Sequence, residues 1–309
     1  MAILFCSDSD PPDAWREVLV AAFPRMPFRV WPDPGRPEDI RYALVWRQPH
    51  GLLARLPNLK AVLVLGAGVD SVLDDPQIPD GVPVLRLVEA GMAAPMAEYA
   101  LLGVLAFQRG LHTYLDRQHA VEWKREPWSP AADWPVGVMG LGVIGAAVAR
   151  RLAQSGYPVA GWVREDRRIE AVEVFAGRER LGAFLARSRV VVNVLPLTPA
   201  TRGILDAQAF ACMPRGSYVI NIGRGAHVAD EDLVAALDAG RLGGAMLDVF
   251  REEPLPQSHA FWRHPKIVVT PHAAAPTVLE AAATQIVDNI ARLERGEPPL
   301  GLVDRQRGY

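Results

Sequence analysis

Short apolar runs alternate with helix-like segments along the first hundred residues. The runs predict buried strands at 2–5, 42–46, 61–65 and 82–87, and residues 11–23 show the apolar spacing of a helix. Strands that alternate with helices in this way are typical of a parallel sheet. The first part of the chain therefore predicts an α/β unit of its own.

A second series of apolar runs follows a long helical pattern at 94–118. These runs predict strands at 136–139, 158–163, 190–194, 218–222, 244–249 and 267–270. Helical segments separate the runs, and a last amphipathic helix is expected at 277–295. The second series thus predicts another parallel sheet.

Residues 136–145 read V-G-V-M-G-L-G-V-I-G, an apolar run that opens into G-x-G-x-x-G. Each glycine has a mechanical reason: Gly140 permits a tight turn, Gly142 lets the backbone approach a pyrophosphate, and Gly145 lets helix and strand pack closely. The phosphates would lie at the helix N-terminus, where free N–H groups and the dipole favour negative charge. Between a strand and a helix, this spacing predicts a dinucleotide site.

The glycine motif lies in the middle of the chain, which indicates that the dinucleotide-binding unit is an insertion. We expect an α/β protein of two Rossmann- or flavodoxin-like domains, each with a doubly wound parallel sheet. Residues 1–98 and 277–309 would form a discontinuous substrate domain. Residues 99–276 would form the NAD(P)-binding domain.

The end of the predicted strand 158–163 bears on the choice of cofactor. A NAD site carries an acidic residue about 20 residues past the first glycine, where it binds the ribose 2′-hydroxyl. Here Val163 occupies that position and Arg164 follows it. Because a guanidinium can bind a phosphate through two hydrogen bonds, the sequence predicts a preference for NADPH, with NADH as the alternative. Glu165 and Asp166 could neutralise the arginine, so the strength of this preference stays open.

Composition narrows the function classes. The chain has 309 residues, a net charge of -2, 50% hydrophobic and 22% charged residues, which is typical of a globular enzyme. Both signs of charge are mixed along the chain, so neither nucleic acid nor a membrane surface is expected as a partner. No apolar run approaches the roughly 18 residues of a membrane span, and residues 1–6 resemble a strand more than a signal peptide. Cys6 and Cys212 predict two buried free thiols in a reducing cytoplasm, and the histidines show no metal-ligand spacing.

Three of the later strands are followed by reactive side chains. Arg224 comes after strand 218–222, one of the adjacent Glu252 and Glu253 after strand 244–249, and His272 after strand 267–270. The carboxyl ends of parallel strands form the edge at which open α/β sheets bind ligands. We therefore expect these three side chains to serve one site.

The motifs around these residues resemble those of the D-2-hydroxyacid dehydrogenase family over essentially the whole chain. They read N-x-x-R-G at 221–225, L-D-V-F followed by E-P-L-P within 247–256, and T-P-H-x-A-A from 270. Residues 64–70 and 161–164 are most similar to the glyoxylate/hydroxypyruvate reductase A subgroup. The resemblance implies NADPH-preferring reduction of small 2-keto acids, such as glyoxylate and hydroxypyruvate, to D-2-hydroxy acids.

The resemblance also implies a role for each residue. His272 would protonate the keto oxygen, Glu253 would pair with its imidazole, and Arg224 would bind the substrate carboxylate and polarise the carbonyl. The substrate contacts, besides Arg224 and His272, would be Trp46, Ala67 and Gly68. The cofactor contacts would be Gly140, Leu141, Gly142, Val143, Ile144, Trp162, Arg164, Leu195, Pro196, Thr198, Ile222 and Asp248.

Two other functions stay open from the sequence. A reductase for a different or larger 2-keto acid would carry the same motifs, and a non-catalytic dinucleotide-sensing scaffold would share the fold. The presence of Arg224, Glu253 and His272 together favours catalysis. The resemblance further implies a homodimer that pairs through the apolar helix 99–111 and the arm 123–134. The physiological keto acid and the direction of the reaction stay open.

Overall fold

The chain folds into two units, each built on a parallel sheet. The computed structural model describes residues 1–88 and 90–309. By its internal contacts the first unit comprises Met1–Gly91 and Thr277–Tyr309, and the second comprises Met92–Pro276. Two parallel-sheet α/β units confirm the predicted fold class. The domain boundary expected at 98/99 falls inside a helix that begins at Ala93, whereas the contacts divide the chain at Gly91.

The first unit has a five-stranded sheet in the order β2-β1-β3-β4-β5. Its strands are β1 (Ala2–Ser7), β2 (Phe28–Val30), β3 (Ile40–Trp46), β4 (Ala61–Val64) and β5 (Val84–Leu85). Its helices are α1 (Pro12–Ala22), α2 (Asp70–Leu73) and the last helix of the chain, α9 (Leu279–Arg295). The strands β1, β3 and β4 are almost wholly apolar and buried, as expected for parallel strands covered on both faces.

The second unit has a seven-stranded sheet in the order β12-β11-β10-β9-β6-β7-β8. Its strands are β6 (Val136–Met139), β7 (Val159–Val163), β8 (Val172–Ala176), β9 (Val190–Asn193), β10 (Ser217–Asn221), β11 (Leu242–Leu247) and β12 (Ile267–Val269). Its helices are α3 (Ala93–Gln108), α4 (Leu111–His119), α5 (Val143–Gln154), α6 (Leu181–Arg187), α7 (Ala207–Cys212) and α8 (Asp230–Asp238). The order reverses at β6, which pairs with both β7 and β9, and doubly wound sheets bind ligands at such a switch point.

The long helix expected at 94–118 is interrupted, so this prediction was wrong. Helix α3 ends at Gln108 and α4 begins at Leu111. Between them Gly110 adopts a left-handed conformation with φ 65°, which stops an α-helix. The apolar spacing continues across the break, so the sequence pattern does not show that the helix is interrupted. The short strands β2 and β8 were not predicted, because most of their residues are only partly buried.

The two cysteines differ in exposure. Cys6 is buried in β1, and burial raises the pKa of its thiol to about 11. Cys212 is exposed, which contradicts the expected pair of buried thiols: it ends a six-residue helix whose buried side is Ala209 and Phe210. Within residues 1–88 and 90–309, no helix is long and apolar enough to cross a membrane, and no cluster of three or more His, Cys, Asp or Glu side chains could hold a metal ion.

Candidate active site

The G-x-G-x-x-G turn joins β6 to the N-terminus of α5. Gly140 has φ 91°, a left-handed conformation that favours glycine. A Cβ on Gly145 would lie 1.8 Å from the carbonyl oxygen of Gly140, so the helix could not pack this closely with any side chain there. A Cβ on Gly142 would meet nothing within 4 Å. The open space beside Gly142, at the start of a helix, fits the pyrophosphate of a dinucleotide.

The other predicted cofactor residues around this turn differ in exposure. The Val143 side chain is exposed at the start of α5, whereas Leu141 is buried against Gly161. The Trp162 indole is also buried and donates a hydrogen bond of 2.9 Å to the carbonyl of Gly177. Trp162 meets the turn through its backbone, because its carbonyl accepts the Gly140 amide at 2.9 Å. The indole therefore supports the turn from within the core.

The end of β7 carries a basic cluster and no carboxylate at the expected ribose position. Val163 is buried there, and the Arg164 guanidinium beside it is exposed and lies 3.2 Å from Glu165 Oε1. Arg167 donates a hydrogen bond to the carbonyl of Leu141, which brings a second guanidinium to the glycine turn. Two arginines at this place fit a ribose 2′-phosphate better than a 2′-hydroxyl.

The loop after β9 holds the predicted cofactor residues Leu195, Pro196 and Thr198. The Thr201 hydroxyl closes this loop, because it donates to the Pro196 carbonyl at 2.8 Å and accepts the Thr198 amide at 2.9 Å. At the base of the loop, the buried Asn193 side chain accepts the Leu195 amide at 3.3 Å. The loop is therefore fixed by its own polar contacts.

Arg224 follows β10 in a turn that packs tightly on the next loop. Its guanidinium donates to the carbonyl of Gly223 at 2.8 Å, and its own carbonyl accepts the Asn221 side chain at 3.0 Å. A Cβ on Gly225 would lie 1.9 Å from the carbonyl carbon of Phe250. Glycine after Arg224 therefore lets this turn approach the segment that leads to Glu253.

Glu253 and His272 form an ion pair. The imidazole Nδ1 lies 2.8 Å from Glu253 Oε2, and the other carboxylate oxygen accepts the Phe250 amide at 2.8 Å. The Glu253 side chain is 13% exposed and that of His272 is 35% exposed. An ionised carboxylate only accepts hydrogen bonds, so Nδ1 carries a proton and Nε2 is left as the nitrogen that can exchange one. This is the arrangement of an oriented acid/base.

Asp248 holds the backbone on both sides of His272. One of its carboxylate oxygens accepts the Thr270 hydroxyl at 2.6 Å and the Ala273 amide at 2.8 Å, and the other accepts the Ala274 amide at 2.9 Å. The carboxylate is 1% exposed. Its contacts within the protein thus fix the segment that carries His272, and the cofactor contact expected from sequence stays a prediction.

Two residues that sequence reasoning missed extend this network. The Tyr99 hydroxyl lies 2.5 Å from the Thr270 hydroxyl. Since Thr270 donates its only hydrogen to Asp248, Tyr99 must be the donor to Thr270. Burial raises the pKa of Tyr99 to about 12, so it stays a donor at neutral pH. Thr270 begins the T-P-H-x-A-A motif but had no role predicted from it, Tyr99 belongs to no motif, and only the fold brings Tyr99 of α3 to the end of β12.

The backbone of His272 is strained. Its φ of 54° lies in the left-handed region, which costs a residue other than glycine about 1–3 kcal/mol. Two hydrogen bonds from its amide, to the carbonyls of Asp248 at 2.8 Å and of Thr270 at 3.0 Å, hold this conformation. Backbone strain of this kind is common at functional sites.

In the first unit, the predicted substrate residues lie at the ends of two neighbouring strands. Trp46 ends β3, and residues 66–68 follow β4. A Cβ on Gly66 would lie 2.4 Å from Cζ3 of Trp46, so the indole packs directly on this glycine. Ala67 and Gly68, the next residues of the loop, are partly exposed. The sheet therefore presents a tryptophan and a small-residue loop side by side.

Comparison with known proteins assigns the family. Residues 101–274 match the family model described as D-isomer specific 2-hydroxyacid dehydrogenase, NAD binding domain. The glyoxylate/hydroxypyruvate reductase A of Serratia proteamaculans is 44% identical over 315 residues, with 100% of both chains covered. The protein of the same name from Yersinia enterocolitica is 41% identical, again over 100% of both chains.

Solved structures agree with this assignment. A D-isomer specific 2-hydroxyacid dehydrogenase from Xanthobacter autotrophicus, in complex with NADPH and MES, has a TM-score of 0.94 and 45% identity and covers 100% of this chain and 99% of its own. The NADPH-dependent glyoxylate/hydroxypyruvate reductase of Sinorhizobium meliloti, in complex with NADP and sulfate, has a TM-score of 0.92 and 39% identity over 100% of both chains. The chain therefore belongs to the D-isomer specific 2-hydroxyacid dehydrogenase family of oxidoreductases.

Proposed function

We propose that this chain reduces glyoxylate and hydroxypyruvate to D-2-hydroxy acids and prefers NADPH. The observation that carries the proposal is the ion pair between His272 Nδ1 and Glu253 Oε2 at 2.8 Å, which leaves Nε2 for proton transfer. It occurs in the same unit as the G-x-G-x-x-G turn and Arg224. An acid, a dinucleotide turn and a carboxylate-binding arginine are the parts that reduction of a 2-keto acid requires.

Each side chain has one task in the reaction. The bound reduced nicotinamide would supply a hydride to the keto carbon. His272 would give its Nε2 proton to the keto oxygen, so that a keto acid, NADPH and one proton become a hydroxy acid and NADP⁺. Glu253 would stabilise the protonated imidazole, and Arg224 would bind the substrate carboxylate and the charge that develops on the oxygen.

The remaining substrate contacts are proposed for the first unit. The indole of Trp46, packed on Gly66, would limit the size of the keto acid. The backbone N–H groups of Ala67 and Gly68 would bind a carboxylate oxygen, since small residues let an anion approach the backbone closely. A pocket of this kind favours two- and three-carbon acids such as glyoxylate and hydroxypyruvate.

The first test is the rate of NADPH oxidation by the pure protein with glyoxylate and with hydroxypyruvate. NADH is measured beside NADPH, and His272→Ala is the control. We expect turnover on both acids, a higher kcat/KM with NADPH, and a loss of turnover in the variant. Equal kcat/KM with NADH would contradict the role of Arg164 and leave the reaction class intact.

The same assay separates the competing functions. Turnover of only branched or longer 2-keto acids would assign a reductase with a larger pocket. Tight NADPH binding without turnover of any 2-keto acid would favour the dinucleotide-sensing scaffold and overturn the proposal.

We further propose that the protein is a homodimer. Several apolar side chains of α3, α4 and the following segment are exposed, namely Leu102, Leu105, Leu111, Leu115, Val121, Trp123 and Trp128. A monomer rarely leaves so many large apolar groups in one stretch of chain exposed to water. Light scattering should give twice the 33.7 kDa of one chain, and a mass of one chain would contradict the proposal.

A cytoplasmic location is part of the proposal. Both cysteines are free, and Cys212 is exposed, which suits a reducing compartment. Fractionation of the source cells should recover the protein with cytoplasmic markers, and recovery with membranes or the culture medium would contradict this location.

A further inference from the structure

His227 lies fully buried in the turn that follows Arg224, and both of its ring nitrogens have partners. Nδ1 accepts the backbone amide of Arg224 at 3.1 Å. Nε2 lies 3.2 Å from the backbone carbonyl of Pro196, in the loop after β9. The exposed fraction of His227 is 0%. One ring therefore bridges two loops that are adjacent at the carboxyl edge of the sheet.

The two partners fix the chemical form of this ring. A backbone amide only donates, so Nδ1 must be the unprotonated nitrogen. A carbonyl only accepts, so the hydrogen must be on Nε2. His227 is thus a neutral imidazole with a single tautomer, and it differs in this from His272, whose Nδ1 faces a carboxylate.

The surrounding backbone leaves the ring little freedom. Leu205 donates its amide to the His227 carbonyl at 3.0 Å, and Gly203 donates to Ala226 at 2.8 Å. A Cβ on Gly223 would lie 3.2 Å from Cε1 of the ring and 3.1 Å from the Leu195 carbonyl. The glycine, the ring and the loop after β9 are therefore in mutual contact.

We propose that His227 is a positioning residue, whose neutral ring holds the substrate-binding Arg224 turn in register with the cofactor loop at Leu195 and Pro196. This inference rests on the proposed function, which gives those two loops their roles. The Nδ1 bond fixes the backbone from which the Arg224 guanidinium extends. The Nε2 bond fixes the carbonyl of the loop that would line the nicotinamide.

Two conservative variants separate the two bonds. In His227→Asn the side-chain carbonyl can accept the Arg224 amide from close to the Nδ1 position. In His227→Gln the longer amide can donate to Pro196 from close to the Nε2 position. A lost hydrogen bond is worth about 1 kcal/mol, which is roughly fivefold in a binding constant.

We expect the Asn and Gln variants each to raise a different one of two constants, KM for NADPH and KM for glyoxylate. His227→Asn should raise KM for NADPH about fivefold and leave KM for glyoxylate nearly unchanged. His227→Gln should raise KM for glyoxylate about fivefold and leave KM for NADPH nearly unchanged. His227→Leu, which keeps neither bond, should raise both. Equal changes in both constants in all three variants would indicate a merely structural histidine and overturn the proposal.

A spectroscopic measurement on the wild-type protein is independent of variant folding and of turnover. In protein labelled with ¹⁵N, the Arg224 amide and His227 Nδ1 should show scalar coupling across their hydrogen bond, and the ring should show the Nε2–H tautomer. A charged ring or an Nδ1–H tautomer would overturn the proposal. If wild type turns over no 2-keto acid, the proposed function fails, whereas the coupling and the NADPH affinity of His227→Asn still decide the role of His227.

Discussion

The two sheets end differently at their carboxyl edges. In the second unit, hydrogen bonds fix the segments that follow β10, β11 and β12; the buried Asp248 carboxylate, for example, accepts the amides of Ala273 and Ala274, next to His272. In the first unit, Trp46 at the end of β3 packs on Gly66, which follows β4, and neither side chain is charged. The residues that we propose for proton transfer thus lie where hydrogen bonds fix them, and those that we propose for substrate fit lie where packing fixes them.

We expect the largest effect on kcat from a substitution of His272, at the carboxyl edge of the second sheet. His272→Ala removes the nitrogen that we propose as the proton donor, and we expect kcat to fall about 10²- to 10⁴-fold. The melting temperature should change little, because the side chain is 35% exposed and its backbone contacts remain. Stopped-flow reduction of glyoxylate measures kcat, and thermal unfolding followed by circular dichroism measures the melting temperature.

Glu253→Gln is the matched control for the charge. It keeps the size of the side chain and an acceptor oxygen for the Phe250 amide, but removes the negative charge beside the imidazole. We expect a smaller loss of kcat than in His272→Ala. A Glu253→Gln enzyme with full activity would contradict the role given to the ion pair.

We expect the second-largest effect from a substitution of Asp248, the buried carboxylate that binds the backbone around His272. Asp248→Ala leaves the Ala273 and Ala274 amides and the Thr270 hydroxyl without their acceptor. A buried polar group without a partner costs about 1–3 kcal/mol, so we expect a loss of about 3 kcal/mol in the free energy of unfolding. The strained backbone of His272 should relax as well, and kcat should fall. Urea unfolding and glyoxylate kinetics measure both.

Asp248→Asn serves as the control for shape. Its amide retains one acceptor oxygen, so stability and kcat should lie between those of wild type and Asp248→Ala. Unchanged stability in Asp248→Ala would show that the three hydrogen bonds are not essential to the edge of this sheet.

The residues at the strand ends of the second unit were easier to predict than the hydrogen bonds that hold the backbone around them. Arg224, Glu253 and His272 each follow an apolar run, and this local pattern is visible in the sequence. The partners of Asp248 lie 22 to 26 residues along the chain, and Tyr99 is 171 residues from Thr270. Such pairs depend on the order of strands in the sheet, which no local pattern records.

Local conformation set the other limits of prediction. The glycine turn follows from spacing because Gly140 and Gly145 are required by the turn itself. By contrast, the break between α3 and α4 depends on one left-handed glycine inside a continuous apolar pattern. The Trp162 indole turns into the core and Cys212 to the surface, and these side-chain directions depend on neighbours that the sequence does not identify.

We expect the third-largest effect from a substitution of Gly66, on which Trp46 packs in the first unit. In Gly66→Ala the new Cβ would lie 2.4 Å from Cζ3 of Trp46, so the indole must move. We expect KM for glyoxylate to rise about tenfold, the equivalent of 1.4 kcal/mol, while KM for NADPH stays unchanged. A rise in KM for glyoxylate alone would show that the packing of Trp46 on Gly66 affects substrate binding and not cofactor binding.

Gly182→Ala in α6 is the control for the substitution itself. A Cβ there would meet only Cys212 Sγ at 4.0 Å, so the helix should tolerate it and gain slightly in stability. Its kinetic constants should equal those of wild type. A rise of KM for NADPH in Gly66→Ala would mean that the first unit affects more than the substrate.

The smallest effect concerns the surface of the first unit. Glu294 of α9 accepts hydrogen bonds from the Tyr42 hydroxyl and from Lys60 Nζ, the latter at 2.9 Å. These bonds, that of Tyr42 foremost, lower the pKa of Glu294. A carboxyl with a lowered pKa in the folded state stabilises the protein above its unfolded pKa, about 4.3, and this contribution is lost as the pH falls through the folded value.

Glu294→Gln should therefore lower the free energy of unfolding at pH 7 by about 0.5–1 kcal/mol, a figure kept small because the side chain is 31% exposed. The difference from wild type should shrink as the pH falls through the lowered pKa of Glu294 and vanish in acid, where the wild-type carboxyl is also neutral. Glu297→Gln, at an exposed pair with Arg295, is the control and should have no measurable effect at pH 7 or in acid. A difference that did not shrink as the pH fell would show that Glu294 acts through packing, as Trp46 does in the same unit.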